Sequence, residues 1–283
     1  MLTNLKPILA GARADHYCVP AFDCVEDVMV RALLDTAESR RSPIILSVLE
    51  PDLAGRGINF VPGLIRAVAD TYSIPVALHY DHAATLDEIR RGIDAGFTSV
   101  MIDGSKLSFA ENVKLTRQTV ELAAPHGITV EAELGHVGGM DLAESACGES
   151  VLTEAGEVAQ FVAETGVDAL AVSIGTAHGV YRSLPTLNIP RLKELHAASS
   201  VPLVLHGGSG TPDDQIRNAV RTGICKLNIY ADLRIAMGKG LKTAHAAITR
   251  PDPLPQEIFG PIAKALAGVV SEKIDLLGSA GRV

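Results

Sequence analysis

The sequence has few of the residues that several classes of protein need. Its 283 residues include no tryptophan, only 4% aromatic side chains and four cysteines. So few aromatic rings argue against recognition by base stacking. No two cysteines form a Cys-x-x-Cys pair, which argues against a disulfide framework and predicts a reduced, cytoplasmic protein. No apolar run approaches the roughly 18–20 residues of a membrane span, and the N-terminus lacks the pattern of a signal peptide.

Positive charge is also in short supply. The 25 Lys and Arg residues are outnumbered by 33 Asp and Glu residues, so the formal net charge is −8. This balance argues against nucleic acid or an anionic membrane as the main partner, although a local basic pocket remains compatible with it. We therefore expect a small-molecule partner, no nucleic acid and no membrane.

The chain has ample material for a large core, because 47% of its side chains are hydrophobic. Its length fits either two ordinary domains or one large α/β barrel. No linker rich in Pro, Gly or Ser divides it, so we predict a single domain over residues 1–283.

Short β-branched, apolar runs alternate with helical patterns along the whole chain. Near-continuous apolar runs are typical of parallel strands that are covered on both faces. Their starts are spaced by about 29 residues, the size of one βα unit. The predicted strands are Cys18–Asp23, Pro43–Leu49, Pro75–His79, Ser99–Asp103, Ile128–Leu134, Asp168–Ile174, Pro202–His206 and Ile224–Ile229.

The segments between the strands carry helix signals. Apolar residues recur with a helical period in Glu26–Arg40. Thr85 and Glu88 have capping-box spacing, and Thr211 before Pro212 predicts an N-cap. Two further helices are expected to end on Gly166 and Gly223.

Eight βα units in one domain predict an α/β fold, a closed (β/α)8 TIM barrel, with extra C-terminal helices after about Asp252. The competing open, doubly wound sheet usually has a glycine-rich turn after its first strand, and AFDCVEDV contains no glycine.

Titratable residues collect at the predicted carboxyl ends of the strands, where barrel enzymes build their sites. His82, His178 and His206 follow strands three, six and seven. Three imidazoles on one rim suit a single Zn²⁺ with an open coordination position, which is typical of a catalytic site. Asp81 precedes His82 and is expected either to orient that histidine or to act as a general acid/base.

A glycine-rich turn, Gly207-Gly208-Ser209-Gly210, lies between predicted strand seven and the next helix. Its backbone N–H groups and the helix N-terminus can receive an anion, and loops after strands seven and eight of barrels commonly hold phosphate. Asn228 and its neighbours would complete this phosphate site.

Taken together, these motifs resemble the class II, zinc-dependent ketose-bisphosphate aldolases of the fructose- and tagatose-bisphosphate type. The resemblance extends over essentially the whole chain. The motifs that carry it are PVALHYDHA (75–83), MIDGS (101–105), VEAELGHVGG (130–139), DALAVSIGTAHGVY (168–181), PLVLHGGSG (202–210) and KLNIYADL (226–233).

The resemblance implies reversible retro-aldol cleavage of a sugar phosphate to dihydroxyacetone phosphate and an aldehyde. It implies one catalytic Zn²⁺ on His82, His178 and His206, proton transfer by Asp81, a monovalent cation near the phosphate, and a homodimer or homotetramer. The ketone-phosphate site implied is Gly179, Gly207, Gly208, Ser209, Asn228, Ile229, Tyr230 and Ala231, and the accessory positions are Asp103, Glu133, Arg182 and Asp23.

The sequence departs from the family pattern mainly on the aldehyde side. Asp23 stands where the family usually has Asn, Leu49 where it has Ser, and Asp141 where its loop has Glu, while Ala231 replaces a Thr of the phosphate site. A carboxylate near a phosphate dianion is costly. The substrate is therefore expected to differ from fructose 1,6-bisphosphate, with an aldehyde half that lacks a phosphate. The other interpretation of Asp23 is that it faces a cation from a neighbouring subunit.

Other interpretations remain open at this stage. Residues 135–150 form either a surface insertion or an active-site loop, and Arg182 is either a phosphate contact or an exposed arginine. Lys226 shares strand parity with Asn228, so it is also a candidate lysine for a metal-free Schiff-base aldolase. A metal-dependent TIM-barrel hydrolase would more typically have a His-x-His pair on strand one, which this chain lacks.

Overall fold

A computed structural model describes residues 1–139, 150–179 and 184–283. Eight parallel strands close into a barrel in chain order, with the last strand hydrogen-bonded to the first. This confirms the predicted (β/α)8 barrel. The strands are β1 (Val19–Asp23), β2 (Ile44–Leu49), β3 (Val76–Ala83), β4 (Ser99–Ile102), β5 (Thr129–Leu134), β6 (Ala169–Val172), β7 (Leu203–Leu205) and β8 (Ile224–Ile229).

Helices surround the barrel, and one precedes it. Short 3-10 turns cover Glu50–Leu53 and Ala124–His126. Among the described residues, none of the helices combines the length and apolar character that crossing a membrane requires. The α-helices are α1 (Leu5–Asp15), α2 (Asp27–Ser39), α3 (Gly57–Ala69), α4 (Leu86–Ala95), α5 (Phe109–Ala123), α6 (Ala155–Thr165), α7 (Ile189–Ala198), α8 (Asp213–Thr222), α9 (Ala231–Ala247) and α10 (Pro255–Leu277).

Most of the helix signals are confirmed. Thr85 and Glu88 form a reciprocal capping box at the start of α4, and Gly166 and Gly223 cap the ends of α6 and α8. Where extra C-terminal helices were expected after about Asp252, the structure has one long helix, α10.

The predicted N-cap at Thr211 is wrong. Pro212 occupies the N-cap position of α8, and no side chain caps the helix there. The Thr211 hydroxyl instead donates to the carbonyl of Gly207 at 3.1 Å. This hydrogen bond spans the glycine-rich turn, so Thr211 stabilises the turn rather than the helix.

The barrel interior changes character along its axis. Near the amino ends of the strands it is apolar, because small and branched side chains such as Ala77, Ala169 and Val204 pack against α1. Towards the carboxyl ends the inward positions become polar. There the buried side chains include Ser47, His79, Asp81, Glu131, Glu133, Lys226 and Asn228. Helix α1 thus closes one end of the barrel and leaves the chemistry at the other.

Candidate active site

His82 enters the site through an irregularity in β3. Side chains along a strand point alternately to its two faces. Regular alternation would therefore place His79 and Asp81 on the inward face of β3 and His82 on the outward face. The β3–β4 register shifts between Tyr80 and Ala83, and His82 adopts φ +53°. A bulge of this kind redirects a side chain, and a positive φ is rare for residues other than glycine. The backbone therefore brings Asp81 and His82 to the same rim.

The three predicted histidines converge above the barrel. Each of His82, His178 and His206 offers a ring nitrogen, and these atoms all lie within 4.8 Å of one another. The three rings meet edge to face, with centroids 4.7–5.9 Å apart. The structure thus brings together side chains that are separated by up to 124 residues.

Hydrogen bonds determine which nitrogens face inward. Nδ1 of His82 lies 3.1 Å from Oδ2 of Asp103, and Nε2 of His206 lies 2.9 Å from Oε1 of Glu131. When each outer nitrogen donates to its carboxylate, the lone pairs of His82 Nε2 and His206 Nδ1 point at each other across 2.8 Å. At that distance either a proton shared as an N–H···N hydrogen bond or a bound cation must lie between the two nitrogens.

His178 completes the donor set. Its Nε2 is buried and makes no hydrogen bond to any described residue. An unsatisfied buried polar atom costs about 1–3 kcal/mol, which a metal ion would remove. Three imidazoles with one unsatisfied nitrogen therefore fit a divalent metal such as zinc.

A histidine binds a metal through a neutral ring, and the pKa values of His178 and His206 favour that neutral form. The pKa of His82 favours the protonated form instead. Burial, together with the neighbouring His82 and His206, lowers the pKa of His178 to about 3, and burial also lowers the pKa of His206. Although burial alone would lower it, the carboxylates of Asp81 and Asp103 raise the pKa of His82 well above its usual value. A bound metal would thus replace a proton on His82.

Asp81 lies beside the histidines as an ionised group. Burial alone would raise its pKa, but the charges of His82 and Lys226 and the nearby His79 hold the pKa of Asp81 well below the usual range. The amide of Asn228 donates to Oδ2 of Asp81 at 2.9 Å. Asp81 can therefore accept a proton from a substrate hydroxyl.

A second acidic group flanks His82. Burial and the charge of Asp103 raise the pKa of Glu133 to about 8, whereas His82 and Ser105 lower the pKa of Asp103 itself. Oε1 of Glu133 accepts from the backbone N–H of Val137 at 3.0 Å. These two predicted accessory residues therefore orient His82 and the start of the loop after β5.

The loops after β7 and β8 are fastened together by Ser209. Its Oγ accepts the backbone N–H groups of Tyr230 and Asp232, both at 3.2 Å, at the start of α9. The hydroxyl proton of Ser209 remains available to donate to an anion at this helix N-terminus.

One pocket joins these groups. Most of the predicted site residues line it, and Arg234, which the sequence analysis did not single out, lies there with its guanidinium 4.8 Å from the ring centroid of Tyr230. The lining residues are Asp23, Leu49, Asp81, His82, His178, Gly179, Gly207, Ser209, Asn228, Tyr230, Ala231 and Arg234.

Two residues of the predicted ketone-phosphate site, Ile229 and Gly208, do not line this pocket. The side chain of Ile229 lies in the core between barrel and helices. Gly208 packs so closely that a Cβ would lie 2.8 Å from the Asn228 carbonyl, so its role is to let two loops approach. Arg182 lies outside the described residues, as does Asp141.

Three buried residues beneath the histidines were not predicted to support the site. Glu131 and His79 had no assigned role, and Lys226 was considered only as a Schiff-base lysine. Glu131 lies between His206 and Lys226, and His79 lies 3.5 Å from Asp81 and 3.7 Å from Glu131. The signal available was parity: Glu131 and Lys226 share the inward face with Glu133 and Asn228 respectively.

Gly139 tests how the loops hold His178. Gly139 has φ +115°, and a Cβ there would lie 2.5 Å from both the backbone nitrogen and the carbonyl oxygen of His178. We expect Gly139→Ala to displace His178 and to lower kcat by roughly 10²-fold, since small misplacements at a site have large effects. Steady-state kinetics and metal analysis measure this.

Gly127→Ala is the matched control. Gly127 also has a positive φ, +68°, but a Cβ there would meet nothing within 4 Å. This variant should lose stability while it retains activity and metal. Unchanged kcat in Gly139→Ala would show that this contact does not position His178.

Comparisons with known proteins identify the family of the chain. The family model of class II fructose-bisphosphate aldolase matches residues 3–282. The structure is similar to that of the YdjI aldolase from Escherichia coli K12, with 33% identity, a TM-score of 0.89 and coverage of 100% of this chain and 99% of that one. The fold is also similar to that of a fructose-bisphosphate aldolase from Campylobacter jejuni, with 24% identity, a TM-score of 0.85 and coverage of 100% and 97%.

Proposed function

Because the chain belongs to the class II fructose-bisphosphate aldolase family and is a metal-dependent aldolase, we propose that it reversibly cleaves a phosphorylated ketose to dihydroxyacetone phosphate and an aldehyde. The metal proposed is zinc, held by His82, His178 and His206. The observation that carries this proposal is the convergence of one ring nitrogen from each histidine within 4.8 Å, with Nε2 of His178 left unsatisfied.

A divalent ion bound there supplies electrophilic stabilisation to the ketose carbonyl oxygen. The chain's own residues supply proton transfer and orientation. Asp81, ionised and held by Asn228, accepts the proton of the C4 hydroxyl as the C3–C4 bond breaks, and returns it in the direction of synthesis. To leave as dihydroxyacetone phosphate, the three-carbon half must then take up a proton at the carbon of the broken bond.

The ketone phosphate is proposed to bind between the loops after β6, β7 and β8. Gly179 and Gly207 offer backbone at the pocket wall, and Ser209 offers its hydroxyl beside the N-terminus of α9. Binding energy from the phosphate would thereby orient the carbonyl towards the histidines.

Release of dihydroxyacetone phosphate from ketose phosphates tests this function. The zinc-loaded protein is incubated with fructose 1,6-bisphosphate, tagatose 1,6-bisphosphate and the corresponding 1-phosphates. We expect stoichiometric dihydroxyacetone phosphate from at least one of them, and no inorganic phosphate. Phosphate release without carbon–carbon cleavage would instead indicate the hydrolase.

The aldehyde half is proposed to lack a phosphate. Asp23 is buried and lines the pocket together with Leu49, which pairs with Asp81 in the β2–β3 register. Leu49 thus lies beside the carboxylate that handles the C4 hydroxyl, and Asp23 lies on the wall of the same pocket. A phosphate dianion placed there would meet the charge of Asp23 and would lack a hydroxyl donor at position 49.

We therefore expect a higher kcat/KM for ketose 1-phosphates than for either bisphosphate. Asp23→Asn, which keeps the side-chain shape and removes the charge, should raise kcat/KM for the bisphosphates relative to the 1-phosphates. A wild-type preference for a bisphosphate by tenfold, about 1.4 kcal/mol of transition-state stabilisation, would refute this choice of aldehyde.

A further inference from the structure

Lys226 places a positive charge in the interior of the barrel. Its side chain is fully buried in β8, two residues before Asn228. A buried ammonium must be paired. Lys226 Nζ lies 2.9 Å from Oε2 and 3.1 Å from Oε1 of Glu131, and it donates to Oδ1 of Asn228 at 2.7 Å. Its donors are therefore directed to two residues only among those described.

One of these contacts leads to a proposed metal ligand. Oε1 of Glu131 accepts from Nε2 of His206 at 2.9 Å, and both side chains are fully buried. This hydrogen bond holds the proton of His206 on Nε2 and leaves Nδ1 as the ligand atom. Lys226 keeps Glu131 in place by pairing with both of its oxygens.

The other contact leads to the proposed proton-transfer residue. An ammonium group only donates, so it selects the carbonyl oxygen of the Asn228 amide. The amide nitrogen of Asn228 must then point away from Lys226, towards Oδ2 of Asp81 at 2.9 Å. Without the lysine, the amide could turn over and present its oxygen to the Asp81 carboxylate.

We propose that Lys226 is a positioning residue that couples the metal ligand His206, through Glu131, to the proton-transfer residue Asp81, through Asn228. This inference rests on the proposed function. In this account the ammonium group of Lys226 aligns both His206 and Asp81. These two residues must act on the same substrate, on opposite sides of the bond that breaks. The same contacts leave Lys226 engaged with Glu131 and Asn228 rather than directed at a substrate carbonyl.

Three variants separate positioning from mere structural support. Lys226→Met removes the cation, Glu131→Gln removes the carboxylate, and the double variant removes both charges, so that neither is left buried without its partner. Lys273→Met is the matched control, because Lys273 is also buried and pairs with Asp232 at 2.8 Å, away from the histidines.

Each protein is measured in three ways. Thermal unfolding of the metal-free protein reports stability, competition with a chelator reports the zinc dissociation constant, and steady-state kinetics with the substrate that wild type cleaves best report kcat and KM separately. Wild type must bind zinc and cleave that substrate. A failure of the proposed function therefore appears in wild type, and a failure of the positioning role appears only in the variants.

For Lys226→Met we expect kcat to fall and the zinc dissociation constant to rise, each by roughly 10- to 100-fold, with little change in KM. The double variant should regain thermal stability, yet its kcat and zinc affinity should stay low. Lys273→Met should lose stability alone.

A double variant with kcat and zinc affinity close to those of wild type would overturn the proposal, since it would show that the pair only neutralises buried charge. Equal losses of kcat and zinc affinity in Lys273→Met would also overturn it. Should Lys226→Met fail to fold, the double variant carries the test alone.

Discussion

Replacing His206 with alanine is expected to abolish turnover and to reduce bound zinc well below one ion per chain. A site with two imidazoles loses a large share of the affinity of a site with three. The substitution also deprives the buried carboxylate of Glu131 of its hydrogen bond from His206 Nε2. Metal analysis of the purified protein and a retro-aldol assay measure both effects.

His245→Ala is a suitable control, because His245 is exposed on α9. It should keep one zinc per chain and wild-type turnover. If His206→Ala kept stoichiometric zinc and near-normal turnover, the proposed set of ligands would be wrong.

Replacing Asp81 with alanine should separate proton transfer from metal binding. We expect the variant to retain zinc and to lose turnover by roughly 10²–10⁴-fold, the usual effect of removing a positioned acid/base. Asp81→Asn should lose a similar factor, because an amide of the same shape cannot accept the proton. Zinc content and kcat of both variants are the measurements.

Loss of zinc in both Asp81 variants would point to a different role. Asp81 would then act mainly through its charge beside the metal ligands, since its Oδ2 lies 4.0 Å from Nε2 of His82. Retained zinc with near-normal kcat would remove Asp81 from the chemistry altogether.

The barrel could be predicted because parallel strands covered on both faces leave a distinct pattern. The segment Ile44–Leu49 is apolar except for Ser47, and it lies within the predicted strand Pro43–Leu49. The predicted end of β3 at His79 was four residues short. The charged and aromatic residues that follow His79 do not have the apolar pattern of a buried strand. In the structure Tyr80 packs between the barrel and the helices, and Asp81 faces the site.

The bulge at His82 could not be predicted from alternation. Strict alternation would place Asp81 and His82 on opposite faces, and only a local shift of register with a positive φ brings both to the rim. The sequence predicted His82 at this rim because its position just after a strand, rather than its parity, carried the inference.

The interior network was harder to foresee for a different physical reason. Glu131 and Lys226 lie on different strands, 95 residues apart, and each alone resembles an unfavourable charge within an apolar run. Their pairing depends on the closure of the barrel, which brings β5 and β8 to opposite sides of one interior. The cap predicted at Thr211 is wrong for a local reason, because α8 begins at Asp213 and Pro212 occupies its N-cap position.

The most direct test of a metal-dependent aldolase built on His82, His178 and His206 is the removal and return of zinc. The protein is stripped with a chelator, titrated with zinc and assayed for cleavage, and a parallel sample is treated with borohydride in the presence of the ketose phosphate. We expect no turnover without metal, a linear return of activity that saturates at one zinc per chain, and no covalent adduct. Full activity in the chelator together with trapping of substrate on Lys226 would contradict it.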